Sequence, residues 1–242
     1  MIIIKGRTIK GPYVVTSGLV LYLDAGNTRS YPGSGNTWYD ISGKGYNATL
    51  FNSPSFSNGF IQFRAATTTS QFATTSFNEG VLKSDSSSFT LEVFFKYVST
   101  PPSDEAVVIG RSGSHGGIYL YQSGSIYHAI KTNLGWTGAQ NYLVNSITAG
   151  QIYHSVLTYN GATGVMSSYS NGSYVTGATF DKTTYDFFSW SDVFYIGGIP
   201  SGNPQLFTTN TDVSIVRCYN KLLSATEVLQ NYNAQKAKFG LI

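Results

Sequence analysis

A chain of 242 residues with 15 basic and 12 acidic side chains carries a formal net charge of only +3, too little to argue for nucleic acid as a partner. Charged residues make up 11% of the chain and aromatics 15%, with 18 tyrosines, which describes a polar, uncharged surface suited to hydrogen bonding and ring stacking rather than ionic recognition. A lone cysteine, Cys218, excludes an intrachain disulfide, and a large tyrosine-rich domain without disulfides fits folding in a reducing cytosol.

At the start of the chain, Met1-Ile2-Ile3-Ile4 is too short for a secretory signal, and charge follows it rather than preceding it. No stretch reaches transmembrane length, so we expect a soluble protein. Lys5, Arg7 and Lys10 all precede the first acid, Asp24. They read either as a solvated edge or as an arm that docks on an acidic partner. Residues 1–17 are accordingly set apart as an N-terminal arm, with short strands expected around 2–5 and 12–16.

Leu19-Val20-Leu21-Tyr22-Leu23 is a strand apolar on both faces. The Gly/Asn/Ser-rich stretch 24–49 follows as one long loop, and loops of that length are functional or tightly self-packed. Further strands are expected over 60–64 and 71–74. In 87–97, Phe89, Leu91, Val93, Phe95 and Tyr97 alternate with Thr90, Glu92, Phe94 and Lys96. Strand-like runs continue over 106–111, 117–121, 125–131, 193–197 and 211–219. Between them, residues 153–179 form a three-stranded meander with turns at Asn160-Gly161 and Asn171-Gly172, since Asn-Gly supplies the positive φ that a two-residue hairpin needs. Near the end, Ser224-Ala225-Thr226-Glu227 is a capping box that opens one short C-terminal helix. Short strands separated by Gly, Asn and Ser turns define an all-β, two-sheet antiparallel sandwich or jelly roll.

These residues carry a resemblance. Asp40-Ile41-Ser42-Gly43-Lys44-Gly45-Tyr46-Asn47 near the start and Tyr219-Asn220-Lys221-Leu222-Leu223-Ser224-Ala225-Thr226-Glu227 at the strand-to-helix closure are similar to the concanavalin A-like, laminin-G-like jelly-roll superfamily. So are Phe89–Phe95, Tyr169–Gly172 and Phe194–Gly198. The resemblance implies a concanavalin A-like domain over 18–242, with two curved sheets and a concave groove. The opening loop, from Asp24-Ala25-Gly26-Asn27 through Ser30-Tyr31-Pro32-Gly33 to Trp38-Tyr39-Asp40, also resembles domains of tailed-bacteriophage virion proteins.

Glycan cleavage needs two carboxylates flanking the bond. Of the four glutamates, Glu79, Glu92, Glu105 and Glu227, none has an acid two or four positions on. No histidine spacing supports zinc. Glycan binding or protein contact is expected at Trp136, Asn141 and Tyr142 in one loop and at Trp190 in another, where aromatic rings sit beside amides and hydroxyls. Calcium is weighed at Asp24, Asn27 and Asp40, against the reading that Asp40 caps a tight turn through its own side chain.

The function expected is that of a non-enzymatic virion protein of a tailed phage: a capsid decoration, head fibre or tail component. It would be made and assembled in the host cytoplasm. Its partners would be other virion proteins, copies of itself (a trimer), and host-surface glycans, with no nucleic acid and no membrane. The alternative is a carbohydrate-binding lectin or adhesion module, calcium-dependent or not. A glycoside hydrolase is a distant third.

Overall fold

The computed structural model describes residues 12–65, 69–75, 77, 88–101, 106–110, 116–130, 140–144 (backbone only), 146–179, 193–200 and 209–241. In chain order the strands are β1 (Leu19–Asp24), β2 (Thr37–Trp38), β3 (Ala48–Phe51), β4 (Ser55–Ser57), β5 (Phe60–Phe63), β6 (Phe72–Thr75), β7 (Phe89–Tyr97) and β8 (Ala106–Gly110). They continue as β9 (Gly116–Tyr121), β10 (Ser125–Ile130), β11 (Gln140–Val144), β12 (Ile152–Asn160), β13 (Val165–Ser170), β14 (Ser173–Thr179), β15 (Phe194–Ile196) and β16 (Thr211–Tyr219). A single α-helix, α1 (Ala225–Gln235), closes the described chain and runs into a 3₁₀ turn over Lys236–Phe239.

Among the described residues, two eight-stranded sheets stack face to face. The first has the order β14-β13-β12-β7-β16-β5-β4, with β1 also on β16; the second is β11-β10-β9-β8-β15-β6-β3-β2. Every pairing is antiparallel. The expected all-β jelly-roll sandwich with one short C-terminal helix is what forms. The alternation in β7 sets the layers: Phe89, Leu91, Val93, Phe95 and Tyr97 enter the main core between the sheets, with Trp38, Phe63, Ile118, Leu157 and Val216. On the opposite face of β7, Phe94 meets Ile215 and Tyr232 beneath α1. The helix therefore covers the outer face of the first sheet. Its start follows the sequence signal, since Ser224 accepts from the Glu227 amide while the Glu227 carboxylate accepts from the Ser224 amide.

Three local expectations are corrected. Asn171-Gly172 is a two-residue hairpin turn, with φ 48° and 79°, but Asn160-Gly161 opens a longer turn closed by Gly164 at φ 72°. There the Asn160 side chain accepts from the amides of Ala162 and Thr163, an Asx turn that uses the asparagine without the two-residue geometry. The long loop 24–49 contains the short pair β2/β3. Residues 12–16 form no strand; they run as a strap over the sandwich. Val15 is buried beside Tyr219, Leu223 and Val228, its N–H donates to Asn231 Oδ1, and its carbonyl accepts from the Tyr219 hydroxyl. The described part of the 1–17 arm is thus fastened to α1 and β16.

Candidate functional site

The segment between β1 and β2 builds one wall of a cleft. It is pinned internally: Asn27 O accepts from the amides of Ser30 and Tyr31, and the Ser30 hydroxyl donates to Tyr39 O. Gly33 and Gly35 take positive φ, 97° and 92°, which lets the chain reverse over the Tyr31 ring. Tyr31 is buried, its hydroxyl donates to Gly35 O at 2.9 Å, and its ring meets Phe56 edge-on with centroids 5.1 Å apart. Burial raises the Tyr31 phenol pKa, so this donor stays protonated at neutral pH.

The other wall is the corner Asn52-Ser53-Pro54, where the chain leaves β3 in the second sheet for β4 in the first. Between the walls lies a cavity of about 650 Å³, within the size range of small-molecule sites (about 300–1,000 Å³). Its floor is Tyr31, Leu50 and Phe56; its rim carries Ser34, Asn36, Asn52 and Ser53. No lining residue is charged. The side chains of Ser34, Asn36 and Ser53 are exposed and have no hydrogen-bond partner among the described residues. The cleft thus offers both donors and acceptors above an aromatic floor.

The described carboxylates are occupied elsewhere. Of the twelve acids, five lie among the described residues, and each is engaged in a fold contact. Glu92, fully buried on β7, takes the Arg217 guanidinium at 3.0 Å, His154 Nε2 at 2.9 Å and Asn231 Nδ2 at 2.8 Å. Burial opposes its ionisation, but Arg217 and the hydrogen bond from His154 outweigh it and hold its pKa below the usual range. His154 Nδ1 accepts from the Gly172 amide, so Nε2 carries the proton donated to Glu92. Burial depresses the His154 pKa despite Glu92, which keeps the ring neutral. Asp24 binds Lys238 Nζ at 2.6 Å, Asp212 binds Arg64 at 2.6 Å, and Glu227 serves the helix cap. Asp40 accepts from the Tyr22 and Ser42 amides through Oδ1, and from the Tyr46 amide and Ser42 hydroxyl through Oδ2.

These contacts bear on the calcium candidates. Asp24 faces a lysine, Asn27 Oδ1 accepts from the Arg29 amide, and Asp40 caps its own turn. Among the described residues no group of three or more His, Cys, Asp or Glu side chains is placed to hold a metal. Asn141 and Tyr142 sit on an edge strand, β11, opposite His128 and Tyr127, rather than in a loop. Trp136, Trp190, Lys5, Arg7 and Lys10 lie outside the described residues. Sequence reasoning had not singled out the cleft residues. The signals available were the length of the 24–49 loop and its Gly33-Ser34-Gly35-Asn36 run.

An antiparallel two-sheet sandwich with one capping helix among the described residues defines a lectin-like jelly-roll fold. The family model of the concanavalin A-like lectin/glucanases superfamily matches residues 66–229, more than half of the chain, and the protein belongs to that superfamily. Comparison with curated proteins finds no match. Among solved structures, Trypanosoma rangeli sialidase in complex with 2,3-difluorosialic acid aligns with TM-score 0.67 at 19% identity, over 98% of this chain and 36% of that one. The binding domain of botulinum neurotoxin DC, solved with rat synaptotagmin II, gives TM-score 0.68 at 13% identity, over 91% and 52%. The binding domain of Paraclostridial Mosquitocidal Protein 1 gives 0.63 at 16%, over 93% and 55%. The chain thus spans between about a third and about half of these molecules, and at such identities the likeness is one of fold. No described helix is long and apolar enough to cross a membrane, which says nothing of strands.

Proposed function

We propose that this chain is a non-enzymatic recognition domain that holds a carbohydrate in the cleft between the 31–36 loop and the 52–54 corner. The observation that carries this reading is the unpartnered Ser34, Asn36 and Ser53 side chains over the Tyr31/Phe56 floor. The engagement of all five described carboxylates in fold contacts supports binding without bond cleavage. The test is a glycan array on the intact protein, with a parallel assay for released sugar. Binding that Asn36→Ala weakens without changing the fold supports the reading. Turnover of a bound glycan refutes the non-enzymatic part, and an array with no bound glycan refutes the recognition part.

The resemblance of the opening loop to phage virion domains favours a setting for this recognition: display on a tailed-phage particle, as capsid decoration, head fibre or tail component. Cys218, buried and unpaired, supports folding in a reducing compartment. Display on a particle goes with self-association, a trimer being the expected form, and with the basic arm at Lys5, Arg7 and Lys10 as the anchor. Light scattering with and without calcium tests it. A defined oligomer indifferent to chelator and co-purifying with particles supports display; a monomer that never does so refutes it. A chelator-sensitive monomer points to a calcium-dependent lectin instead.

A further inference from the structure

The cleft wall at 52–54 has an unusual backbone. Asn52 and Ser53 both occupy the left-handed region, at φ 61° and 53°. Side-chain-bearing residues enter that region at a cost that glycine avoids, and strain of this kind persists only where surrounding contacts over-determine it. Here hydrogen bonds from Gln71 and Asn52 supply that constraint. Gln71 Nε2 donates to the carbonyls of both Asn52 and Ser53, at 3.2 and 3.3 Å, and Asn52 Nδ2 donates to Ser70 O. Gln71 Oε1 in turn accepts from the Arg64 amide at 3.0 Å, which fixes which end of its amide faces the corner. On the opposite wall the same need for positive φ is met by Gly33 and Gly35, which bear no side chain. Ser53 is therefore the informative residue. It bears a side chain where glycine would be unstrained, and its hydroxyl makes no contact within the described chain that would offset the strain.

The chemistry of the free groups limits what they meet. Hydroxyls of Ser34 and Ser53 donate and accept, and the Asn36 amide does both. A sugar hydroxyl, itself a donor and an acceptor, satisfies such a set. A carboxylate or phosphate accepts only, and the cleft lining supplies no cation to meet its charge, so it would lose hydration without compensation. Arg64, beside Gln71, is already paired with Asp212.

We infer that the cleft selects uncharged, hydroxyl-rich sugars over acidic ones, that Ser53 contacts them, and that Gln71 is the positioning residue that holds the strained corner in binding shape. This rests on the carbohydrate reading above. The test titrates the intact protein with methyl β-galactoside, N-acetylglucosamine, lactose and 3′-sialyllactose, followed by NMR. The neutral sugars shift resonances of Asn36, Asn52 and Ser53, and 3′-sialyllactose binds at least about tenfold more weakly than lactose. Ser53→Gly weakens binding while the unfolding midpoint holds or rises, because glycine relieves the strain. Gln71→Ala, and Gln71→Glu with a carboxylate against two carbonyls, each lower affinity about tenfold with the sandwich still folded. Should Gln71→Ala unfold the protein, the Ser53→Gly result decides the assignment of the contact. Equal or tighter binding of sialyllactose overturns the selectivity while leaving carbohydrate recognition standing. Unchanged affinity in Ser53→Gly and Gln71→Glu overturns the roles of those residues. Silence from all four sugars overturns the carbohydrate reading itself.

Discussion

Replacing His128 should change how stability depends on pH more than it changes the fold. His128 on β10 is fully buried and reaches across the sandwich, with Nδ1 2.9 Å from the Ser168 hydroxyl on β13 and Nε2 2.7 Å from the Ser155 hydroxyl on β12. A neutral imidazole needs one donor and one acceptor, and two serines supply both. Burial pushes the His128 pKa from 6.5 down to about 3. The sign follows from linkage. Above pH 6.5 neither state is protonated and the group is silent. Below it, the unfolded chain takes up a proton that the folded chain refuses, so stability falls as pH falls, until about pH 3. The slope is about 1.4 kcal/mol per pH unit, which gives about 3 kcal/mol between pH 6.5 and pH 4. In His128→Gln the amide keeps some of the hydrogen bonding and no longer titrates. The variant should be less stable than the parent by about 1–3 kcal/mol at pH 7. That gap should close by about 3 kcal/mol on going to pH 4, because only the parent pays the linkage term. Urea unfolding of both proteins at half-unit pH steps measures it. Parallel stability curves for parent and variant, or an imidazole that titrates near pH 6.5 in the folded state, would refute the reasoning.

Glu92→Gln leaves the Arg217 guanidinium buried without its counter-charge and turns an amide N–H toward the Asn231 amide, so urea unfolding should show a loss of about 3–5 kcal/mol. Glu92→Met combined with Arg217→Met should recover much of it, and two additive single losses would argue against a coupled pair. Because the Glu92 pKa is depressed in the folded state, its contribution is present above the unfolded value near 4.5 and is lost as pH falls through the lower folded value. Removing residues 1–16 deletes the Val15 contacts to Asn231 and Tyr219 and should lower the midpoint of unfolding. Ser224→Ala should cost about 1 kcal/mol through loss of the helix cap, read by the same denaturation.

Much of the fold is legible because its signals are local. The period-two alternation of β7, the Asn171-Gly172 turn and the Ser224/Glu227 cap each act within a few residues, and each appears in the structure at the expected place. Asn141 and Tyr142 read as the end of a loop over 133–142, whose aromatic rings beside amides and hydroxyls suit glycan contact, yet they lie on β11. The pairing of β11 with Ile126–Ala129 is a tertiary fact that no local period reports. Glu92 shows the same limit. Its isolation from other acids argues against a catalytic pair, and Arg217 is its register partner across β7 and β16, a pairing that reading residue by residue cannot choose.

The cleft is the hardest part to read, and for a physical reason. Its two walls are some twenty residues apart in sequence and are brought together only when β3 joins the second sheet and β4 the first. Its polar rim consists of Ser and Asn, the residue types that also make turns, so composition alone assigns them to loop geometry. What separates the roles is bookkeeping of partners in three dimensions. Asn27, Asp40 and Asn160 spend their side chains on neighbouring amides, as turn residues do. Ser34, Asn36 and Ser53 spend theirs on nothing within the described chain. Ser53 does so in a backbone conformation that favours glycine. Where each described carboxylate is committed to the fold, these neutral groups are the ones that the proposed carbohydrate contact would use.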